Sequence, residues 1–293
     1  MGVLSDAKRG WRMGLHGVHI VVAEPELLAF PVMSTGILLL LGLLALLASP
    51  LVAVVQSLAG QGTPVAYGLL AVGAFVSAFV VTTVSTFFAA GLVHCSAMVF
   101  RGEEPDVRDG LAAAWRVKEK IVAWGLVAAT VSVIIRAIER QGRGGQIVAA
   151  IFGVTWGLLT YFIVPVIVLE DVGTRAMFGA SARAFRERWG EYAGASVGVG
   201  VVFFLVILTA VGVLVLAGIL FSYSSTLTIL LVLGAFLFFL LLLPAGQAIT
   251  GVVKTALYIY AREGTIPEAF TGEDFDEIFG EEQRRRGPPT GQI

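Results

Sequence analysis

Two long stretches without any charged side chain constrain this chain more than any other feature. Residues 27–100 form a run of 74 amino acids without Asp, Glu, Lys or Arg, and residues 192–253 form a second run of 62. A charge at the centre of a bilayer costs on the order of 3 kcal/mol, so runs of this kind are typical of membrane spans. Because one helical span needs about 20 residues, each run predicts two helices and a turn.

The whole chain is therefore predicted to be an all-α membrane protein with six transmembrane helices in three hairpins. The predicted spans cover residues 28–49, 65–100, 121–138, 147–169, 193–221 and 227–260. We expect a turn region from Ser49-Pro50 to residues 60–64, and an interruption of the last span at Pro244. The transmembrane domain, 27–260, follows an N-terminal amphipathic helix, 1–26. It precedes an acidic cytoplasmic tail, 261–293, which we expect to be mostly disordered.

The distribution of cations predicts the orientation. The chain has 20 Lys and Arg residues, and the three predicted loops on the side opposite the N-terminus contain only Arg136, Arg140 and Arg143. The other 17 cations lie on the side of the N-terminus, and the positive-inside rule places that side in the cytoplasm. We therefore expect a multi-pass protein of the cell membrane with both termini in the cytoplasm.

Three basic amphipathic segments precede the three hairpins, and each contains a tryptophan. The first covers residues 4–23, the second begins at Asp106 as a helix N-cap, and the third lies in residues 171–190. Their Trp and Arg side chains are predicted to anchor the protein at the membrane surface beside anionic lipid headgroups. The predicted anchoring residues are Trp11, Arg12, Trp115, Arg116, Arg183, Arg186 and Trp189. A threefold repeat of interfacial helix and hairpin is one interpretation; independent hairpins are the other.

Composition excludes several kinds of partner. The formal net charge of -1 argues against nucleic acid, because neutralising phosphates requires a clustered basic surface. The single cysteine, Cys95, cannot form an intrachain disulfide or a thiolate metal cluster. His16 and His19 are spaced to share a metal, but no Cys or carboxylate completes the ligand set. We therefore predict no cofactor and no metal.

One string resembles a catalytic motif. Residues Gly194 to Gly198 match G-x-S-x-G around Ser196, and His94 is the one histidine that could pair with it. That chemistry needs a strand–turn–helix elbow, whereas this string opens a predicted membrane helix. Small residues that pack helices together explain it better, as they explain Gly153 and Gly157. We therefore predict that the protein has no catalytic residues and is not an enzyme.

Two functions from different classes fit the remaining pattern. The first is a non-enzymatic role in membrane organisation or lipid homeostasis, through the basic interfacial helices. The alternative is a transporter or permease-like component, because Pro165 and Pro244 interrupt spans and a polar stripe in span six suggests a cavity. The residues of that possible cavity are Gln247, Thr250 and Lys254. A snorkelling lysine at the inner surface explains the same stripe.

Two segments carry a resemblance to a known family. Arg9-Gly10-Trp11-Arg12 is followed by the run from Glu26 to Pro31, and the run from Val164 to Gly173 leads to Ser181 and Arg186. The chain resembles a family of uncharacterised six-span prokaryotic membrane proteins over roughly residues 7 to 270. It is also similar to the membrane domain attached to some glycerophosphodiester phosphodiesterases. The resemblance implies the six-span fold and carries no catalytic residue.

Overall fold

The computed structural model is helical in every element that it describes. It describes residues 16–60, 62–187, 208–209, 211–213, 215–219 and 225–263, and no strand occurs among them. The helices are α1 (16–23), α2 (Glu26–Leu47), α3 (Ser49–Gly60), α4 (Pro64–Val99), α5 (Val107–Arg116), α6 (Lys118–Glu139), α7 (Arg143–Leu159), α8 (Ile163–Leu169), α9 (Ala176–Glu187) and α10 (Ser225–Glu263). The all-α class predicted from the sequence is confirmed for these residues.

Five helical stretches are long and apolar enough to span a membrane. They are Glu26–Leu47, Pro64–Val99, Lys118–Glu139, Arg143–Leu169 and Thr228–Tyr260. Each of them overlaps one of the predicted spans. The predicted span at 193–221 falls mostly outside the described residues, so the count of six stays a prediction.

The chain divides into two compact units, which we name by their place in the sequence. The central unit comprises residues 26–95 and 105–187. The terminal unit comprises the described parts of 16–25, 96–104 and 208–263. In the central unit, α2 contacts α3 and α5, α6 pairs with α7, and α9 packs on α7 and α8.

The helices at two prolines, Pro50 and Pro244, differ from the sequence prediction. The segment after Ser49-Pro50 is the helix α3 rather than a turn region, because proline is well tolerated in the first turn of a helix. Pro50 has no N–H with which to continue the hydrogen bonding of α2, and the break between α2 and α3 lies at Ala48. Pro244, by contrast, lies inside the continuous helix α10. Membrane helices tolerate such prolines because neighbouring groups satisfy the freed carbonyl.

Helix ends on both sides of residues 100–106 have well-defined caps. Gly102 has φ +73°, and its N–H donates to the Val99 carbonyl while the Glu103 N–H donates to the Met98 carbonyl. This is the Schellman motif, which requires a left-handed residue and so favours glycine. Asp106 accepts a hydrogen bond from the Arg108 N–H at 2.9 Å, which confirms it as the predicted N-cap of α5.

Burial changes along the helices of the central unit. The first part of α4 exposes Val65, Leu69 and Val72, whereas its last turns bury Phe88, Ala90 and Leu92. In α2 the order is reversed, because Leu27 and Phe30 are buried and the exposed leucines follow Gly36. The core of this unit therefore lies toward the start of α2 and the end of α4, which are neighbours in the antiparallel pair.

In the terminal unit, α1 packs on α10 through a glycine. A Cβ on Gly17 would lie 2.9 Å from the Val253 side chain and 3.1 Å from that of Ile249. Ile20 and Val21 are buried on the same helix, whereas Val18 and Val22 are exposed. Helix α1 therefore has two apolar faces, of which one is used for packing.

Candidate membrane-interface site

The amphipathic helix α5 is fixed to the bundle by one tightly enclosed aromatic ring. Phe30 of α2 is only 1% exposed. A Cβ on Gly91 of α4 would lie 2.5 Å from the Phe30 ring, and a Cβ on Gly110 of α5 would overlap it and lie 2.8 Å from the Cys95 sulfur. The two glycines therefore form a cradle for Phe30, and no larger residue fits at either position without a shift.

The other end of α5 presents an aromatic ring and cations. Trp115 is 62% exposed, and its indole makes an edge contact with Phe87 at 6.4 Å between ring centroids. The ammonium of Lys118 lies 4.6 Å from the centroid of the same indole, which is a cation–π contact. Arg116 is exposed beside it. An exposed indole next to cations is the arrangement that favours the headgroup level of a bilayer.

The second amphipathic helix, α9, is docked by its apolar face. Met177, Ala180, Ala184 and Phe185 are buried, and Phe185 contacts Tyr161 at 6.2 Å between ring centroids. Because this face packs on α7 and α8, it does not enter lipid. The opposite face exposes Arg183 and Arg186, and Arg175 is exposed just before the helix begins.

A buried hydroxyl holds α9 at the break between α7 and α8. Pro165 lacks the N–H that a continuous helix would use, and the chain turns at residues 160–162. The Ile163 N–H donates to the Thr160 carbonyl, so it no longer serves Leu159. The Ser181 hydroxyl, itself fully buried, donates to the Leu159 carbonyl at 2.9 Å instead. Ser181 thus satisfies a carbonyl that the helix break leaves without its usual donor.

The first turns of α6 contact α7, the end of α8 and α9. Trp124 stacks on Trp156 of α7 at 5.9 Å and contacts Phe178 of α9 at 6.0 Å between ring centroids. The Lys120 ammonium donates to the Glu170 carbonyl at 3.2 Å, at the C-terminal end of α8. A lysine in that position also suits the negative end of the helix dipole. Helices α8 and α9 are therefore held level with the start of α6.

The predicted anchoring residues are only partly described. Trp115 and Arg116 lie on α5, Arg183 and Arg186 lie on α9, and all four are exposed. Trp11, Arg12 and Trp189, the other predicted anchoring residues, lie outside the described residues, as does the string from Gly194 to Gly198. Sequence analysis missed Lys118, although its spacing of three residues from Trp115 was a usable signal.

The predicted polar stripe lies on α10 in the terminal unit. Gln247 is exposed, and Lys254 is partly buried. The Thr250 hydroxyl donates to the Gly246 carbonyl of its own helix at 2.8 Å. The possible cavity at these residues stays a prediction. Among the described residues, no three metal-ligating side chains come together.

Comparison with protein families gives a match that covers more than half of the chain. The family described as "Family of unknown function (DUF6159)" matches residues 68–268. No curated protein and no solved structure matches the chain. The matched range includes α5, α9 and the cradle glycines Gly91 and Gly110.

Proposed function

We propose that this chain is a non-enzymatic membrane protein acting in membrane organisation or lipid homeostasis. It belongs to DUF6159, a family of unknown function. In this proposal α5 and α9 bind anionic lipid headgroups on the cytoplasmic face of the cell membrane. The bundle would hold the two helices rigidly, so that their cations are preorganised for lipid binding.

One observation carries the proposal: α5 and α9 expose cations on helices whose other faces are packed, and an exposed tryptophan accompanies the cations of α5. Arg183 and Arg186 lie opposite the buried face of α9, and Lys118 lies over the Trp115 ring. Each cation near an anionic surface contributes about 1 kcal/mol of attraction. A rigid set of four or more such groups would discriminate strongly between anionic and zwitterionic lipid.

The proposal includes six spans in three hairpins with both termini in the cytoplasm. It is supported by the 17 cations on the side of the N-terminus. Single cysteines at Gln61, Gly144 and Ser224 should react with a membrane-impermeant maleimide from outside intact cells, in a Cys95→Ser background. Protection of Gln61 and Ser224, with an exposed tail, would invert the topology. Kinship with the membrane domain of glycerophosphodiester phosphodiesterases belongs to the same proposal.

Absence of catalysis is also part of the proposal. The purified chain should not react with a fluorophosphonate probe, because Ser196 would pack between helices without an oxyanion hole. Stoichiometric labelling that Ser196→Ala abolishes would make the chain a serine hydrolase and would overturn this part. The transporter alternative has no observation in its favour, and we do not propose it.

Lipid preference is the direct test. Native mass spectrometry of the purified chain from mixed nanodiscs should show retained anionic phospholipid, and the Arg183→Gln/Arg186→Gln variant should lose most of it. The matched control is Arg140→Gln/Arg143→Gln, which removes the same charge from the opposite end of the α6–α7 hairpin and should reduce retention far less, because no docked amphipathic helix presents these arginines. Equal retention by all three proteins, or equal loss in both variants, would contradict the proposal.

A further inference from the structure

Helices α4 and α6 of the central unit differ greatly in length. Helix α6 has 22 residues, which span about 33 Å at 1.5 Å each, and it carries charges at both ends. That length matches a hydrocarbon core of about 30 Å. Helix α4 has 36 residues and spans about 54 Å. If α6 crosses the bilayer and α4 runs alongside it, α4 extends beyond the bilayer by about 20 Å.

Side-chain contacts fix the register between the two helices. A Cβ on Gly125 of α6 would overlap the Thr83 hydroxyl of α4 and lie 3.2 Å from the Phe79 ring. Nearer the start of α6, Phe87 contacts Trp115, which is three residues before Lys118. The charged start of α6 is therefore level with Phe87. In the other direction, the 14 residues from Gly125 to Glu139 bring the far end of α6 level with the first turns of α4.

The excess length of α4 thus lies beyond Phe87, and there the helix is enclosed by protein. Phe88, Ala90, Leu92 and Val93 are all buried. The Cys95 thiol donates to the Asp106 carbonyl at 3.5 Å, so the start of α5 lies beside the last turns of α4. On the other side of Phe87, Val65, Leu69, Val72 and Val76 are exposed and apolar. An apolar surface of that extent requires lipid to cover it.

We infer that the bilayer covers α4 only up to the level of Phe87, and that residues 26–33, 88–95 and 105–114 form a packed head outside it. From Phe87 to Cys95 the head rises about 12 Å above the membrane boundary. Phe30, clamped by Gly91 and Gly110, is the centre of its core. The bilayer contacts the exposed parts of α2, α4, α6 and α7, and the head contacts water.

The distribution of charge on α5 agrees with this position. Glu26, Asp106 and Asp109 lie close enough to the Cys95 sulfur to act on it electrostatically, at the far end of the head. Arg116 and Lys118 lie at the opposite end, level with Phe87. Asp109 in the first turn of α5 and Arg116 in its last turn also suit the helix dipole, which would favour them at any depth. The inference therefore depends on the length of α4 and on its register with α6.

The test measures the depth of two positions on this head. A bimane fluorophore is attached at Arg108→Cys or at Lys118→Cys in the full chain, and each protein is placed in nanodiscs that contain a headgroup-nitroxide phospholipid. The unmodified chain is the blank, because Cys95 is 1% exposed. Relative to nanodiscs without nitroxide, the fluorophore at position 118 should lose most of its emission, and the fluorophore at position 108 should keep most of its emission.

Equal quenching at both positions would overturn the inference, because it would place the start of α5 at the headgroups. Val76→Cys is the control within the bilayer and should respond to an acyl-chain nitroxide only. The inference does not rest on lipid selectivity, so zwitterionic nanodiscs are used throughout. A failure of the lipid-binding proposal would leave the depth measurement unaffected.

Discussion

The two halves of α4 are both free of charged side chains and have opposite surroundings. In the first half, a Cβ on Gly68 or on Gly73 would have nothing within 4 Å. In the second half, a Cβ on Gly91 would lie 2.5 Å from the Phe30 ring and 3.2 Å from the Gly110 carbonyl. The same residue type in one helix therefore faces open surface at two places and a close helix crossing at the third.

The comparison teaches that the absence of charge does not separate lipid contact from protein packing. Both halves lie within one charge-free run, and lipid is as apolar as a protein core. Contacts distinguish them: the exposed half presents Val65, Leu69 and Val72 on its surface, whereas the buried half encloses Phe88, Ala90 and Leu92 and packs Gly91 against the Phe30 ring. Small residues let α2 and α5 approach closely, and large neighbours fill the space.

Removing the clamped ring should have the largest effect on this contrast. Phe30→Ala leaves a cavity between Gly91 and Gly110 and should lower the free energy of unfolding by about 3–5 kcal/mol. The matched substitution Leu40→Ala is on the exposed part of the same helix and should lower it far less. Denaturant unfolding in detergent micelles measures both. A similar loss in the two variants would remove the distinction between the regions.

Adding a methyl group to the glycines tests the contrast from the other direction. Gly91→Ala pushes into the Phe30 ring, which cannot retreat because Gly110 and Cys95 enclose it, and should destabilise by about 1–3 kcal/mol. Gly73→Ala meets open space and should stabilise by about 0.5–1 kcal/mol through helix propensity. Thermal unfolding midpoints of the two variants should therefore shift in opposite directions. Shifts of the same sign would show that the cradle is not close-packed.

A smaller effect is expected at the break between α7 and α8. Ser181→Ala removes the donor to the Leu159 carbonyl and should destabilise by about 1–2 kcal/mol. The control is Thr155→Ala, because the Thr155 hydroxyl is exposed and bonds only to the Ile151 carbonyl of its own helix. Its unfolding midpoint should hardly move. Hydrogen exchange of the α9 amides should rise in the Ser181 variant alone.

Much of this fold follows from the position of charges. The charge-free runs predicted α2, α4 and α10, and Asp106 was correctly placed as the N-cap of α5 because its carboxylate can reach a free helix N–H. The exposure of Trp115 and of the α9 arginines follows from helical periodicity in the same way.

Other features depend on contacts between distant residues. The Phe30 cradle joins three helices, and no local pattern shows which of the 35 glycines accepts the ring. Helix α3 was expected to be a turn region because Ser-Pro marks both turns and helix starts. The role of Ser181 depends on the helix break at residues 160–162, about 20 residues earlier, which local periodicity does not link to it.

Footprinting of the unmodified chain with a lipid-soluble diazirine tests the central claim most directly. The reagent partitions into hydrocarbon, and on illumination its carbene inserts into any side chain that lipid touches. The account predicts dense modification of residues 65–81 of α4 and almost none of residues 88–95, read by peptide mass spectrometry from nanodiscs. Equal modification of the two segments, or a higher yield at 88–95, would contradict it.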